Sequence, residues 1–447
     1  MLLREVKFKL EILKITVSGF KNIQNTSIEF NHPITAIVGP NGYGKSNLLQ
    51  AIEFGNHFIK ANEKTKSSMM SFSPFIPINK NITNSEFYYE IEAKTIFDGM
   101  EVIVNYGYKF TWSSKNINTS ITEEWLKIKP NQKGKRYSEF IRRTSDKAFI
   151  KSSPKDRCDK ETKIESNNLV INKLKSNDEL FYHKIVDEIN KLNIEMISKV
   201  LPELSFYLIP SKTSLPKYSI EENILFDILT TVYDLKTNYP EKFEYLMNGF
   251  KNIFPSIEEL DVAEVKPQSI FKGLPKDEEF ADKMYIMRVK EKNLTKSLNI
   301  SSLSRGTLRI FAFLTSLILA DLKGYSLIGF EELEDSIHPK LLQKLLITLS
   351  NMSDNCKIII TSHSPYLIQF LDIDNICLAV PNDKGIAVFK KLPLNKRNKI
   401  YNKIREMGMN LGDYIFEMYI NPDEEFLKML GAIENEQKIQ TDGSVLL

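Results

Sequence analysis

A short glycine-rich segment carries the clearest chemistry in the sequence. Its members are Gly39, Pro40, Asn41, Gly42, Tyr43, Gly44, Lys45 and Ser46. Glycines at this spacing let backbone N–H groups point at phosphate oxygens, a lysine ammonium can reach the terminal phosphates, and a serine hydroxyl can bind Mg²⁺. Because a β-branched run precedes the segment and helix-forming residues follow it, we predict a phosphate loop at residues 39–46 and place Asn47 in the same nucleotide site.

A second feature is a pair of adjacent carboxylates, Glu331 and Glu332, directly after the apolar run 326–330. Two carboxylates at the end of a strand repel each other unless a cation or a proton separates their roles. We therefore predict that Glu331 binds Mg²⁺, directly or through water, and that Glu332 orients and polarises the attacking water. Taken alone, the pair also fits a solvated acidic loop, because Glu334 and Asp335 follow closely.

Two further polar segments lie beside apolar runs. Ser304, Gly306 and Thr307 precede a long apolar stretch, so the serine hydroxyl and nearby N–H groups would suit a γ-phosphate at a helix start. A plain helix cap explains the serine equally well. His363 follows a β-branched run, where a neutral histidine can hydrogen-bond a γ-phosphate oxygen or the attacking water. A structural role is the alternative for a single histidine.

Hydrophobic periodicity predicts the elements that position these residues. Strands are predicted at residues 10–17, 28–30, 35–38, 284–289, 326–330, 357–360 and 376–380, with a mixed sheet over 87–125. Helical spacing occurs over residues 180–201 and 224–254, the second interrupted by Pro240. Strands that alternate with helices are typical of parallel crossovers, so we expect an α/β fold.

The predicted strands and helices divide the chain into four segments. They are a lobe with the phosphate loop (1–135), a mainly helical insertion (136–265), a second lobe with the acidic pair and His363 (266–385), and a helical C-terminal region (386–447) with a loose tail from Asn435. Basic residues outnumber acids between residues 133 and 160. This basic run is either a solvated loop or helix face or a contact for a nucleic-acid backbone.

Composition limits the class of protein. The chain has 447 residues, of which 42% are apolar, so a sizeable core is expected. Its net charge of +3 does not indicate a nucleic-acid binder by itself. Three cysteines without paired spacing fit a reducing compartment. No secretory signal and no apolar run of about 20 residues is visible, so we expect a cytoplasmic protein that does not span a membrane.

The order of the motifs resembles the ABC-class ATPases related to chromosome-maintenance and recombination-repair heads. It resembles more closely the AAA-type ATPases of bacterial antiphage systems, including the overcoming-lysogenization-defect class and the ATPases of Septu and retron operons. The residues that carry the resemblance are 19–21, 39–46 (phosphate loop), 303–307 (signature segment), 330–332 with 337–339 (Walker B and its turn) and 361–365 (switch histidine).

The resemblance implies an ABC-type ATPase head with a helical insertion, which uses ATP and Mg²⁺ in a head-to-tail dimer or a higher oligomer. It also implies roles for particular residues. Glu332 and His363 are catalytic, Lys21 contacts the nucleotide, Asp335 lies in the interface loop, and Ser304, Gly306 and Thr307 reach the γ-phosphate held by the second copy.

The sequence departs from that family pattern at three positions. Arg305 replaces the usual acidic or glycine residue of the signature, Leu333 replaces a proline, and Glu331 stands where many relatives have aspartate. No glutamine lies between Gln50 and Gln132, so a Q-loop is not assigned. We therefore expect hydrolysis that is slow or depends on a partner.

Two functions follow from the resemblance. The first is control of a separately encoded effector, such as a nuclease, in antiphage defence. The alternative is a DNA-repair, recombination or chromosome-maintenance ATPase with DNA as its partner. A transporter subunit is disfavoured because Lys45 and Ser304 are too far apart in sequence. A built-in nuclease is disfavoured because only a short stretch follows His363.

Overall fold

The computed structural model describes residues 9–71, 76–82, 86–113, 119–145, 147–197, 228–266, 283–353, 356–380, 384–421 and 426. The chain divides into two compact units. The first comprises residues 1–196, 325–332 and 357–447, and the second comprises 197–324 and 333–356. The predicted tail from Asn435 lies outside the described residues.

The strands and helices are named here in chain order. The strands are β1 (Glu11–Ser18), β2 (Thr26–Glu29), β3 (Ile34–Val38), β4 (Glu86–Phe97), β5 (Met100–Thr111), β6 (Ile121–Pro130), β7 (Ser138–Thr144), β8 (Lys147–Lys151), β9 (Cys158–Thr162), β10 (Ile194–Ile197), β11 (Ile257–Val265), β12 (Met284–Glu291), β13 (Leu298–Asn299), β14 (Leu327–Phe330), β15 (Lys357–Ser362), β16 (Ile376–Val380) and β17 (Val388–Lys391). The helices are α1 (Lys45–Lys60), α2 (Glu63–Met70), α3 (Val170–Lys173), α4 (His183–Lys191), α5 (Ile228–Asn238), α6 (Pro240–Ile253), α7 (Arg305–Leu322), α8 (Pro339–Met352), α9 (Pro365–Ile368), α10 (Arg397–Met407) and α11 (Leu411–Ile420).

A parallel sheet in the first unit positions the predicted site. Its strand order is β10-β14-β15-β3-β16-β17. Strands β14, β15, β3 and β16 run parallel, and β17 pairs antiparallel at the edge. Every residue of β3 and β16 is buried, as expected for strands covered on both faces. The predicted α/β class is confirmed, and the carboxyl ends of these parallel strands meet at one edge.

The first unit also contains a larger antiparallel sheet, in the order β2-β1-β4-β5-β6-β7-β8-β9. Its buried face shares one hydrophobic core with α1 and with residues of the parallel sheet. Phe58 of α1 stacks on Tyr108 and Phe110 of β5, with ring centroids 5.0 and 4.8 Å apart. This aromatic packing holds α1, and therefore the loop that precedes it, against the sheet.

The second unit combines helices with a small antiparallel sheet of order β11-β12-β13. Helix α7 is buried along most of its length, and its Phe311 packs edge-on against Phe250 of α6 at 5.0 Å. Pro240 occupies the start of α6, where its missing N–H costs nothing, so the predicted break is confirmed. In the part of the chain that the structure describes, no helix is both long and apolar enough to cross a bilayer.

Two predictions of local structure are wrong. The basic run is predicted to be a loop or a helix face; residues 133–137 and 152–157 do lie in turns, but residues 138–144, 147–151 and 158–162 form strands β7 to β9 of the antiparallel sheet. The helical pattern over residues 180–201 ends at Lys191, and residues 194–197 form β10. Strands β7 to β9 each pair with the preceding strand in sequence, whereas β10 lies beside the distant β14, and in both cases pairing in a sheet overrides the local pattern. The other boundaries of the four segments stay predictions.

Candidate nucleotide-binding site

The phosphate loop connects β3 to α1, as its sequence predicts. Gly44 occupies the position before the helix with φ of +86°, a left-handed conformation that favours glycine. A Cβ at Gly44 would also lie only 2.6 Å from the Cβ of Ala387. The sharp turn into α1 therefore depends on this glycine, and it directs the first N–H groups of the helix toward the loop.

Lys45 is held against the loop itself. Its ammonium donates hydrogen bonds to the carbonyl oxygens of Gly39, at 2.7 Å, and Pro40, at 2.9 Å, and the residue is only 7% exposed. A cation in the first turn of a helix is opposed by the positive end of the helix dipole. An anion at the loop would interact favourably with both the ammonium and the helix N-terminus.

The other predicted nucleotide residues surround the loop. Ser46 is exposed on the first turn of α1, and Asn41 and Gly42 are exposed in the loop. The Asn47 amide donates to the side chain of Asn22 at 2.8 Å. Lys21 has φ of +51° and donates to the side-chain oxygen of Gln50, so it lies beside α1.

Strand order explains how the acidic pair meets the histidine. Strand β15 lies between β14, which ends before Glu331, and β3, which ends before the phosphate loop. His363 follows β15, and its Nδ1 lies 3.7 Å from Oε1 of Glu332. The two side chains are 45% and 51% exposed, so both are accessible from solvent. The structure thus brings together the two residues that the sequence predicts as catalytic.

Glu332 has an unusual backbone. Its φ is +47°, in the left-handed region that non-glycine residues seldom adopt, and its N–H donates to Oγ1 of Thr361 at 3.2 Å. Such conformations cost free energy and are concentrated at functional sites. The strand below and the threonine hydroxyl hold the Glu332 carboxylate at the same edge as His363.

A third carboxylate at this edge, Glu53 on α1, is not among the residues predicted from the motifs. Burial raises the pKa of Glu53 to about 7, a hydrogen bond from the N–H of Met196 opposes the shift, and the charges of Glu195 and Glu331 add to it. The Glu331 carboxylate therefore lies near α1. A usable signal was present, because Glu53 follows Ser46 by about two helical turns and so lies on the same face of the helix.

The donor set at this edge fits Mg²⁺. A serine hydroxyl and a carboxylate are the hard oxygen ligands that Mg²⁺ accepts, and nucleotide phosphates and water usually supply the remainder. Within the described ranges no cluster of three or more His, Cys, Asp or Glu side chains could hold a metal. The predicted pairing of Ser46 with Glu331 does not require such a cluster.

The signature segment lies in the second unit. Ser304 caps α7, and its hydroxyl accepts a hydrogen bond from the N–H of Thr307 at 3.2 Å. The capping role left open by the sequence is therefore present, while the contact to a second copy stays a prediction. Arg309 of α7, which the sequence analysis did not single out, pairs with the predicted interface residue Asp335 at 3.2 Å.

The phosphate loop, the acidic pair and the histidine at the carboxyl edge of a parallel sheet define an ATPase-class nucleotide-binding head. Residues 34–369 match the family described as "AAA domain, putative AbiEii toxin, Type IV TA system". The chain belongs to this family, and the resemblance inferred from the motifs is confirmed.

The chain is similar to several known proteins. It is 23% identical to Septu protein PtuA of Bacillus thuringiensis over 445 residues, which cover 96% of this chain and 91% of PtuA. A segment of 67 residues is 37% identical to chromosome partition protein Smc of Lactiplantibacillus plantarum and covers 14% of this chain and 6% of Smc. A solved Smc head bound to the C-terminal winged-helix domain of ScpA aligns with 88% of this chain and 99% of its own, at 16% identity and a TM-score of 0.46.

Proposed function

We propose that this protein binds and hydrolyses ATP with Mg²⁺ and that its nucleotide state controls a separately encoded effector in antiphage defence. The observation that supports ATP chemistry most directly is the 3.7 Å approach of His363 to Glu332 at the edge that also carries the phosphate loop. In open α/β sheets, ligands bind at the carboxyl ends of the strands. Membership of the AAA-domain family supports the same assignment.

The residues suggest a division of labour. The loop N–H groups and Lys45 would bind the phosphates, and Ser46 and Glu331 would hold Mg²⁺, which neutralises charge that develops on the phosphate oxygens. The exposed carboxylate of Glu332 would orient water in line with the γ-phosphate. His363 would hydrogen-bond the γ-phosphate oxygen or the water, and its proximity to Glu332 would hold both groups in one geometry.

The direct test is ATP binding and hydrolysis by the purified protein. Lys45→Ala should lower nucleotide affinity at least about tenfold, because charge-assisted contacts are lost. Lys64→Ala is a matched control, since Lys64 is an exposed lysine outside the loop. Equal affinity of wild type and Lys45→Ala by calorimetry would remove Lys45 from the site.

We further propose a head-to-tail dimer in which Ser304, Gly306 and Thr307 of one copy contact the nucleotide of the other. Lys45→Ala and Ser304→Arg should each be inactive in hydrolysis. In a mixture, one of the two composite sites carries both lesions and the other carries none, so activity should return. If heterodimers form without recovery of hydrolysis, each protomer works alone.

An effector role is supported by similarity to Septu PtuA along almost the whole chain. Closure of two heads around ATP would couple to an effector if the effector binds open and closed states differently. We therefore expect the purified chain alone to leave DNA and RNA intact. Nucleic-acid cleavage that survives Glu332→Gln in the pure protein would contradict the separate effector.

The alternative is a DNA-repair or chromosome-maintenance ATPase, and one observation favours DNA contact. Strands β7 to β9 and their flanking turns present exposed basic side chains, including Arg142, Lys147 and Lys160. Phosphate contacts would make binding weaken with salt, by a log–log slope of about −0.9 per contacted phosphate of duplex DNA. Association that does not change with salt would argue against this alternative.

A further inference from the structure

Helix α11 contacts the phosphate loop through one tyrosine. The hydroxyl of Tyr419 donates a hydrogen bond to the carbonyl oxygen of Val38, the last residue of β3, at 3.1 Å. Its ring meets the ring of Tyr43, inside the loop, edge-on with centroids 6.3 Å apart. A Cβ built on Gly39 would lie 3.2 Å from the same hydroxyl. One side chain therefore touches the loop at its start and at its middle.

The opposite end of α11 contacts the segment that carries His363. A Cβ on Gly412 would lie 2.0 Å from the carbonyl oxygen of Pro365, an approach that only glycine allows. Pro365 begins α9 two residues after His363. Gly412 and Tyr419 are about two helical turns apart, roughly 10 Å along the axis. A single helix thus touches both the phosphate loop and the histidine segment.

Helix α11 is well anchored for such a contact. Asn410 caps its first turn by accepting a hydrogen bond from the N–H of Asp413 at 2.9 Å. Tyr414 and Ile415 are buried, at 2% and 0% exposure. Local opening is least favourable where a helix is capped and buried, so α11 can transmit a constraint from one end to the other.

We infer that Tyr419 is a positioning residue for the phosphate loop and that α11 couples this loop to the His363 segment. The inference rests on the proposed nucleotide binding and adds a regulatory contact that the motifs do not contain. The hydrogen bond fixes the end of β3, and the ring contact limits where Tyr43 can move. Loss of either should leave the loop more mobile before a nucleotide arrives.

Hydrogen exchange without nucleotide tests the contact itself. In Tyr419→Phe, which keeps the ring, peptides that cover residues 38–46 should exchange about twofold to tenfold faster, as expected for one lost hydrogen bond. Ile420→Ala is the matched control, because Ile420 lies on the same helix and is 72% exposed. Unchanged exchange of the loop in both Tyr419→Phe and Tyr419→Ala would overturn the inference whatever the nucleotide does.

Nucleotide measurements separate this inference from the proposed function. Tyr419→Phe should raise KM for ATP by about twofold to tenfold and leave kcat unchanged, with a fall in Tm of no more than about 2 °C, as expected for one lost hydrogen bond. In a double-mutant cycle, Tyr43→Ala and Tyr419→Ala should be non-additive in ATP affinity. Strict additivity of the two substitutions in ATP affinity would contradict a positioning role for Tyr419. A fall in Tm large enough to explain the whole rise in KM would contradict it as well. Failure of the wild type to bind ATP would reject the proposed function, and hydrogen exchange would still decide the role of Tyr419.

Discussion

Two charged regions of the first unit differ in how their charges are arranged. At the nucleotide edge, Glu332 and His363 approach each other while roughly half of each side chain stays exposed. Around β6, a second group is buried and bonded to other groups of the protein, and we call it the Glu124 cluster: Glu124, Arg143, Lys66 and Tyr106, each 2% exposed or less.

The side chains of the Glu124 cluster form hydrogen bonds with the backbone around α3. The carboxylate of Glu124 accepts hydrogen bonds from the N–H groups of Val170 and Ile171, at 2.6 and 2.9 Å. Arg143 lies opposite Glu124 in the sheet and donates to the carbonyl oxygens of Glu165 and Ser166, at 3.1 and 3.3 Å. The cluster ties the segment before α3 to the sheet. Accessible charges at strand ends are suited to a ligand, whereas buried charges need protein partners, and loss of one partner destabilises the fold.

The largest expected effect concerns the accessible region. Glu332→Gln should lower the rate of ATP hydrolysis by about a thousandfold, because a neutral amide no longer polarises water, while Mg-ATP affinity is retained. A nucleotide-bound dimer should then accumulate, which size-exclusion chromatography with ATP can detect.

Glu161→Gln serves as the control for that experiment, since Glu161 is an exposed glutamate on β9, away from the site. Hydrolysis by Glu332→Gln at the rate of the control would show that the accessible carboxylate has no catalytic role.

The next effect concerns the stability of the buried region. Arg143→Ala should lower the free energy of unfolding by about 3 kcal/mol, because it removes the cation opposite the buried Glu124 and the hydrogen bonds to three carbonyl groups. Its neighbour provides the control. Arg142 is exposed, and Arg142→Ala should change stability by less than about 0.5 kcal/mol in urea unfolding. If Arg143→Ala and Arg142→Ala lowered the free energy of unfolding by similar amounts, burial of Arg143 would not account for its effect on stability.

A smaller effect should appear as a pH dependence of stability. Burial lowers the pKa of Lys66 to about 8 from its ordinary 10.5, and the charges of Glu124 and Glu63 oppose the shift. Between these values the unfolded chain holds a proton that the native protein has lost, so the free energy of unfolding rises with pH.

Urea unfolding at about pH 7.5 and about pH 9.5 should detect a gain of about 2 kcal/mol from this group. Lys66→Met should remove that gain, whereas Lys64→Met, at an exposed lysine of the same helix, should keep it. Burial also lowers the pKa of Lys60 to about 8, so part of the slope should persist in Lys66→Met, and a slope as steep as that of the wild type would assign the whole pH dependence to other residues.

The smallest effect tests the exposed part of the basic run. If DNA binds there, Arg142→Glu should reduce the log–log salt slope of DNA binding by about 0.9, the share of one phosphate contact, without changing ATP hydrolysis. Arg143 is not a suitable second probe, because it is buried and its substitution would damage the fold. An unchanged slope in Arg142→Glu would place any DNA contact elsewhere.

The sequence alone determined much of the nucleotide edge. The phosphate loop, Glu331, Glu332 and His363 each follow a short apolar run, and such runs form the buried strands of a parallel sheet. Since the ends of parallel strands meet at one edge, a shared edge for Glu332 and His363 could be expected from the sequence, whereas their 3.7 Å approach depends on β14 lying beside β15. The glycine at position 44 was likewise recognisable from its place before the lysine.

Only the tertiary structure decided which charges are buried and which distant residues reach the site. Arg142 and Arg143 are equivalent within a basic run, but alternation in β7 turns one outward and pairs the other with Glu124. Glu53 and Tyr419 contact the site through α1 and α11, and no local pattern marks the Tyr419 contact with Val38. Contacts between residues far apart in sequence depend on strand order and helix packing, and local periodicity does not specify either of these.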